Sequence, residues 1–241
     1  MKRLLVAFFS CAALLFADIT VAAAASYKNA LTELVAAYKD GKVETVFAAS
    51  GKLTQQIGEG APFDVFMSAD TKFPETVVKN GQAEGAVILT VENKLIFWGK
   101  SLDLKKGFDV LTGKNVKHIA VANPKTAPLG AAAIQALEKA GVYDKIKDKL
   151  VYGEDIAQAT AYVENGNAEV GITGYSVVAN KIAAGEGKFE YVDSKLYDPL
   201  YYGTVILKST KKLDEAKKFV AFLKSDTAVT IFNKHGLSVI K

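Results

Sequence analysis

Apolar positions in this chain recur in two rhythms, and the rhythms take turns. Residues 19–23 form a short apolar run, after which Ala30, Leu31, Leu34, Val35 and Tyr38 fall on one face at helical spacing, and residues 45–48 read as a strand again. The pattern continues through a helix near 52–57, a strand at 64–68, a helix near 73–80 closed by Gly81, and an apolar strand at 94–98. A second stretch alternates in the same way, with strand 118–122, helix 130–140 closed by Gly141, strand 151–152, helix 156–164, strand 168–173 and helix 176–184. Residues 201–208 then read as a strand. Two amphipathic helices follow, the first with Leu213, Ala216, Phe219, Val220 and Leu223 on one face, the second with Ala228, Ile231 and Phe232. Such alternation predicts an α/β fold with a largely parallel sheet in each half.

The halves share no sequence repeat, and the terminal strand and helices are most simply packed back onto the first. This predicts one lobe from residues 18–98 plus 200–241 and a second from 99–199, with chain crossings near 98 and 199. A ligand would sit in the cleft between the lobes, where open α/β sheets present the carboxyl ends of their strands.

The N-terminus follows a different rule. Lys2 and Arg3 precede an uninterrupted apolar or small-residue run at 4–16, which predicts a signal peptide over residues 1–17 and an exported protein cleaved near Ala17. The run is too short to span a ~30 Å hydrocarbon core as a helix. The single cysteine, Cys11, lies in this leader, so the remaining chain has no thiol chemistry or disulfide; lipidation at Cys11 is a weaker alternative. Half of the 241 residues are hydrophobic and 23% charged, enough for a substantial core. Without Lys2 and Arg3, 28 basic residues face 26 acidic ones, a charge of +2. Basic pairs such as Lys105-Lys106 and Lys217-Lys218 are scattered among acids, which argues against a nucleic-acid partner.

Candidate chemistry concentrates in four loops that each end a strand and start a helix: Ala25-Ser26, Ser50-Gly51, Pro128-Leu129-Gly130 and Asp155-Ile156. A helix N-terminus offers unpaired N–H groups and a positive dipole end, so it stabilises an anion without Lys or Arg. Ser26 and Ser50 would add hydroxyl donors, and Gly51 and Gly130 would let the backbone approach a ligand closely. Taken singly, each serine reads as an N-cap and Pro128 as an ordinary helix opener. The set of four, two from each lobe, points to a binding site. Enzyme constellations are absent: His118 and His235 sit beside no motif, and there is no G-x-S-x-G, phosphate-loop or zinc spacing. Glu154-Asp155 could be imagined as acid and base, but acidic residues before a helix more simply satisfy its first turn. Tyr201-Tyr202 raises a ferric-ion carrier as an alternative, although neighbours on a strand point to opposite faces.

Read in order, these loops resemble the periplasmic molybdate-binding proteins of ATP-driven uptake systems, over nearly the whole chain after the leader. The motifs are Ala-Ala-Ser-Tyr-Lys-Asn-Ala-Leu at 24–31, Phe-Ala-Ala-Ser-Gly-Lys-Leu at 47–53 and Gly-Ala-Pro-Phe-Asp-Val-Phe-Met-Ser-Ala-Asp at 60–70. Ala-Asn-Pro-Lys-Thr-Ala-Pro-Leu-Gly at 122–130 and Gly-Glu-Asp-Ile-Ala-Gln-Ala at 153–159 complete the set. The resemblance implies a type II-like two-lobed periplasmic binding-protein fold and a monomer that captures molybdate or tungstate for the membrane permease of an ABC transporter, with no cofactor and no catalysis. It further implies that Ser26 and Ser50 bind the oxyanion through hydroxyl and N–H, that Leu129 and Ile156 bind through N–H, and that no side chain ligates the metal. One departure stands out. Where many members carry a ligand-binding tyrosine, this chain reads Gly-Ile-Thr-Gly-Tyr-Ser, with Gly174 at the tyrosine position and Tyr175 one residue late.

Overall fold

The computed structural model describes residues 18–240. The expected leader, its cleavage site and Cys11 lie outside the described residues. In chain order the first half runs β1 (Ile19–Ala24), α1 (Lys28–Ala37), β2 (Val43–Ala48), α2 (Ser50–Gly58), β3 (Val65–Met67), α3 (Lys72–Lys79) and β4 (Ala83–Asn93). The middle runs β5 (Leu95–Gly99), α4 (Asp109–Thr112), β6 (Ile119–Ala122), α5 (Pro128–Lys139), α6 (Tyr143–Ile146), β7 (Leu150–Gly153), α7 (Ile156–Glu164), β8 (Val170–Gly174), α8 (Tyr175–Ala183) and β9 (Lys188–Tyr191). The chain closes with β10 (Leu200–Leu207), α9 (Leu213–Phe222), α10 (Asp226–Lys234) and β11 (Ser238–Val239). Two sheets result, ordered β11-β4-β10-β3-β1-β2 and β7-β6-β8-β5-β9.

The sheets are mixed, which corrects the expectation of largely parallel ones. β1 pairs parallel with β2 and β3, and β6 with β7 and β8, as helical crossovers dictate. β10, β4, β11, β5 and β9 all add antiparallel. The unexpected β4 is the longest strand. Its first half is largely exposed, so it lacks the clean alternation that would have marked it in the sequence.

The chain also changes sheet earlier than its pattern suggested. Leu95–Gly99, expected to end the first lobe, pairs with β8 and β9, so the first crossing is at Lys94 and the return falls between Tyr191 and Leu200. An all-apolar strand buried on both faces looks the same in either sheet, and only its pairing decides.

Alternation along the strands sorts the core. Val21 and Ala23 of β1, Val65 and Met67 of β3, and Leu95 and Phe97 of β5 enter one large cluster shared by both lobes. Ala22, Phe66 and Val205 turn the other way onto Leu53, Ile57 and Val77 of α2 and α3. Ile96 and Trp98 do the same onto Val163 and Val178 of α7 and α8. Each sheet is thus clamped between helices, and the carboxyl ends of β1, β2, β6 and β7 face one another. Among the described residues no helix is long and apolar enough to cross a membrane.

Candidate functional site

The loops leaving β1, β2, β6 and β7 meet at a small cavity with about 210 Å³ of empty space. Ser26, Ser50, Leu129 and Ile156 all line it, together with Ala24, Ala25, Ala48, Ala49, Ala69, Ala127, Pro128 and Asp155. Among the described residues no lysine or arginine lines it.

Local sequence explains why the walls offer donors. α2, α5 and α7 all begin at the cavity, where first-turn N–H groups have no intrahelical partner. Pro128 opens α5 with no N–H of its own, and no side chain caps α5 or α2. The serines are not caps, contrary to their simplest single reading. Ser50 is the first residue of α2 behind Ala49, and Ser26 lies inside a 3-10 turn, Ala25–Tyr27, ahead of α1. Both are buried. The Ala69 amide donates to Ser50 Oγ at 3.1 Å, and the Tyr202 hydroxyl donates to Ser26 Oγ at 2.9 Å. Each serine hydroxyl therefore has an acceptor position already filled.

Asp155 serves its own helix, because its Oδ1 takes the Gln158 amide at 2.9 Å and caps α7. Glu154 pairs with Lys52 across the cleft, both side chains well exposed. The acid–base pair imagined from sequence is thus a helix cap and a surface ion pair. Neither histidine lines the cavity: His118 is exposed, and His235 is buried with Nε2 at 2.9 Å from Glu33.

The glycines also make room for the protein's own backbone. A Cβ on Gly130 would sit 2.2 Å from the Ala122 carbonyl oxygen, so this glycine lets α5 pack on the end of β6. A Cβ on Gly51 would meet Thr126 Cα at 3.0 Å and its carbonyl oxygen at 3.1 Å, in the opposite lobe. The Gly51 amide donates to that carbonyl at 2.8 Å, one of several bonds holding the lobes together. Asn29 Nδ2 donates to the carbonyls of Ser176 and Val177, and Ser176 Oγ to the carbonyl of Ser26.

Gly174 has a structural reason too. A Cβ there would lie 2.6 Å from Asn93 Nδ2 and 3.0 Å from Leu129 Cδ1, so those side chains occupy the space a tyrosine would need. The adjacent Tyr175 turns onto Phe189 and Tyr191. Tyr201 and Tyr202 lie on opposite faces of β10, 41% exposed and fully buried respectively, so the ferric alternative loses its shared ligand pair. Burial pushes the Tyr202 phenol up to about 12, which keeps it a neutral hydrogen-bonding group. Among the described residues no cluster of His, Cys, Asp or Glu could hold a metal ion.

Sequence reasoning missed Asn93 and Ser176, and valued Tyr202 for the wrong chemistry. Asn93 and Ser176 are 83 residues apart, and Ser26 and Tyr202 are 176 apart. No local spacing announces such contacts.

The chain matches the family model of the bacterial extracellular solute-binding proteins over residues 19–238. It is 35% identical over 223 residues to the molybdate-binding protein of Rhodobacter capsulatus, covering 91% of this chain and 87% of that one. It is 36% identical over 227 residues to the molybdate-binding protein of Azotobacter vinelandii, covering 91% and 89%. The solved structure of the periplasmic molybdate-binding protein of A. vinelandii shares its fold with a TM-score of 0.88 at 29% identity, over 92% of this chain and 100% of that chain.

Proposed function

The chain belongs to the family of bacterial extracellular solute-binding proteins, and from that premise we propose that it captures molybdate, or tungstate, and delivers it to the membrane permease of an ABC transporter. The observation that carries the reading is the small cavity between the lobes, walled by helix N-termini and two buried serines and lined, among the described residues, by no lysine or arginine. A tetrahedral dianion offers only acceptors. A wall of N–H and O–H donors complements it, whereas a free carboxylate acceptor would favour a protonated ion such as hydrogenphosphate.

In this reading Ser26 and Ser50 bind through hydroxyl and backbone N–H, and Leu129 and Ile156 through backbone N–H. Two donor loops come from each lobe, so the hydrogen-bond shell is complete only when the lobes close, and ligand shifts the population toward the closed form. The ion is held whole, with no side chain on the metal and no cofactor. The protein acts as an exported monomer in the periplasm, after removal of residues 1–17, and its activity is binding rather than turnover.

Calorimetry with molybdate, tungstate, sulfate and phosphate tests this. Tight binding of the first two and much weaker binding of the others is expected. No heat with molybdate or tungstate, or equal affinity for all four, removes the proposal.

A further inference from the structure

A chain of buried side chains behind Ser26 has a hydrogen-bond direction that can be read from one end to the other. It starts at the sheet changeover, where the Lys94 amide donates to Asn93 Oδ1 at 2.8 Å. A backbone N–H can only donate, so this bond fixes which end of the Asn93 amide is oxygen. Both protons of Nδ2 are then spent: one goes to the Tyr202 hydroxyl oxygen at 2.7 Å, the other to Ser176 Oγ at 2.9 Å. Each hydroxyl has a single proton left to place. That of Ser176 goes to the Ser26 carbonyl, which can only accept, at 2.9 Å. That of Tyr202 goes to Ser26 Oγ at 2.9 Å. The one proton still unassigned is that of the Ser26 hydroxyl, at the cavity wall.

We propose that Asn93 and Tyr202 are positioning residues that bias the Ser26 hydroxyl toward donating into the cavity, and so favour fully deprotonated oxyanions at the site. The proposal rests on the oxyanion reading of the cavity. A free serine hydroxyl can rotate and serve as donor or acceptor, and so tolerates a protonated ligand. Here the Tyr202 proton fills one of the two acceptor positions on Ser26 Oγ, which biases the rotor toward pointing its own proton at the ligand. Gly174 belongs to the same device, because Asn93 Nδ2 fills the space where a side chain at 174 would stand. Both lobes take part: Asn93 ends β4 in one sheet, and Ser176 lies in α8, which follows β8 of the other.

Two measurements test it. Neutron diffraction from the perdeuterated protein, without added ligand, locates the hydroxyl deuterons. A Tyr202 deuteron on the line to Ser26 Oγ is expected; a Ser26 deuteron on Tyr202 Oη overturns the proposal whatever the protein binds. The second is a double-mutant cycle with molybdate as probe. Tyr202→Phe keeps the ring packed edge-on against Tyr27 and removes only the hydroxyl. It is expected to weaken molybdate binding by roughly three- to tenfold, the range for losing one neutral hydrogen bond. In a Ser26→Ala background the same change should do nothing more, because Tyr202 acts through Ser26. Additive losses, or an unchanged affinity in Tyr202→Phe alone, overturn it. If the parent protein binds neither molybdate nor tungstate, the functional reading falls, and the deuteron positions still decide the relay.

Discussion

Gly51→Ala separates closure from folding. Gly51 is the second residue of α2, it is not among the positive-φ glycines, and its amide donates across the cleft to the Thr126 carbonyl. Within its own lobe the added methyl meets the tip of Phe73, at 3.0 Å, which can shift. Against the other lobe it meets Thr126 Cα at 3.0 Å and oxygen at 3.1 Å, and backbone cannot yield without moving the lobes apart. Overpacking of this kind costs about 1–3 kcal/mol. That cost falls on the closed form alone, while alanine stabilises a helix over glycine by up to about 1 kcal/mol in either form. The expected signature is a dissociation constant for molybdate raised about 5- to 150-fold, with a melting temperature of the ligand-free protein that is unchanged or slightly higher. Calorimetry and thermal melts with and without molybdate read both quantities. Unchanged affinity, or a ligand-free melting temperature that falls in step with affinity, would refute the idea that Gly51 is required for lobe closure.

Ser26→Ala and Ser50→Ala should each weaken molybdate binding by about 1–3 kcal/mol, the worth of a charge-assisted hydrogen bond; full affinity in both by calorimetry rules out their assignment. Installing a side chain at the departing position should harm rather than restore: Gly174→Ala presses on Asn93, which is held by four bonds, and should cost about 1–3 kcal/mol in chemical denaturation. Hydrogen bonds from Lys234 and His235 hold the Glu33 carboxyl below its usual 4.5. A depressed carboxylate contributes stability that is present above the unfolded value and lost as pH falls below it. Melting temperature should therefore decline less steeply in Glu33→Gln than in the parent as pH drops from about 5; parallel curves exclude the contact as a contributor.

Much of the architecture was legible because local rules were enough. Helical spacing of Ala30, Leu31 and Leu34 marked the face that α1 buries, and α7 begins and ends where the pattern of 156–164 placed it. The four candidate loops were found for the same reason: a strand end, a small or polar residue and a helix start are neighbours in sequence. What the rhythm left undecided was pairing. The apolar run at 95–98 carries no information about which sheet it joins, and β4, half exposed beside a two-residue edge strand, lacks the alternation that a covered face imposes. Glycine likewise announces only that bulk is excluded. It took the packed loops to show that Gly130 answers to Ala122, Gly51 to Thr126 and Gly174 to Asn93.

The sequence by itself determined that this is an α/β chain whose helix starts can face an anion without a cationic side chain, since donor-rich helix ends follow from local chemistry. Tertiary structure alone decided that Asn93, Tyr202 and Ser176 converge on Ser26 from positions up to 176 residues away, and with that the direction of every proton behind the site. Donors and acceptors are written in the residues, but which group faces which is settled only when the chain brings them within 3 Å of one another.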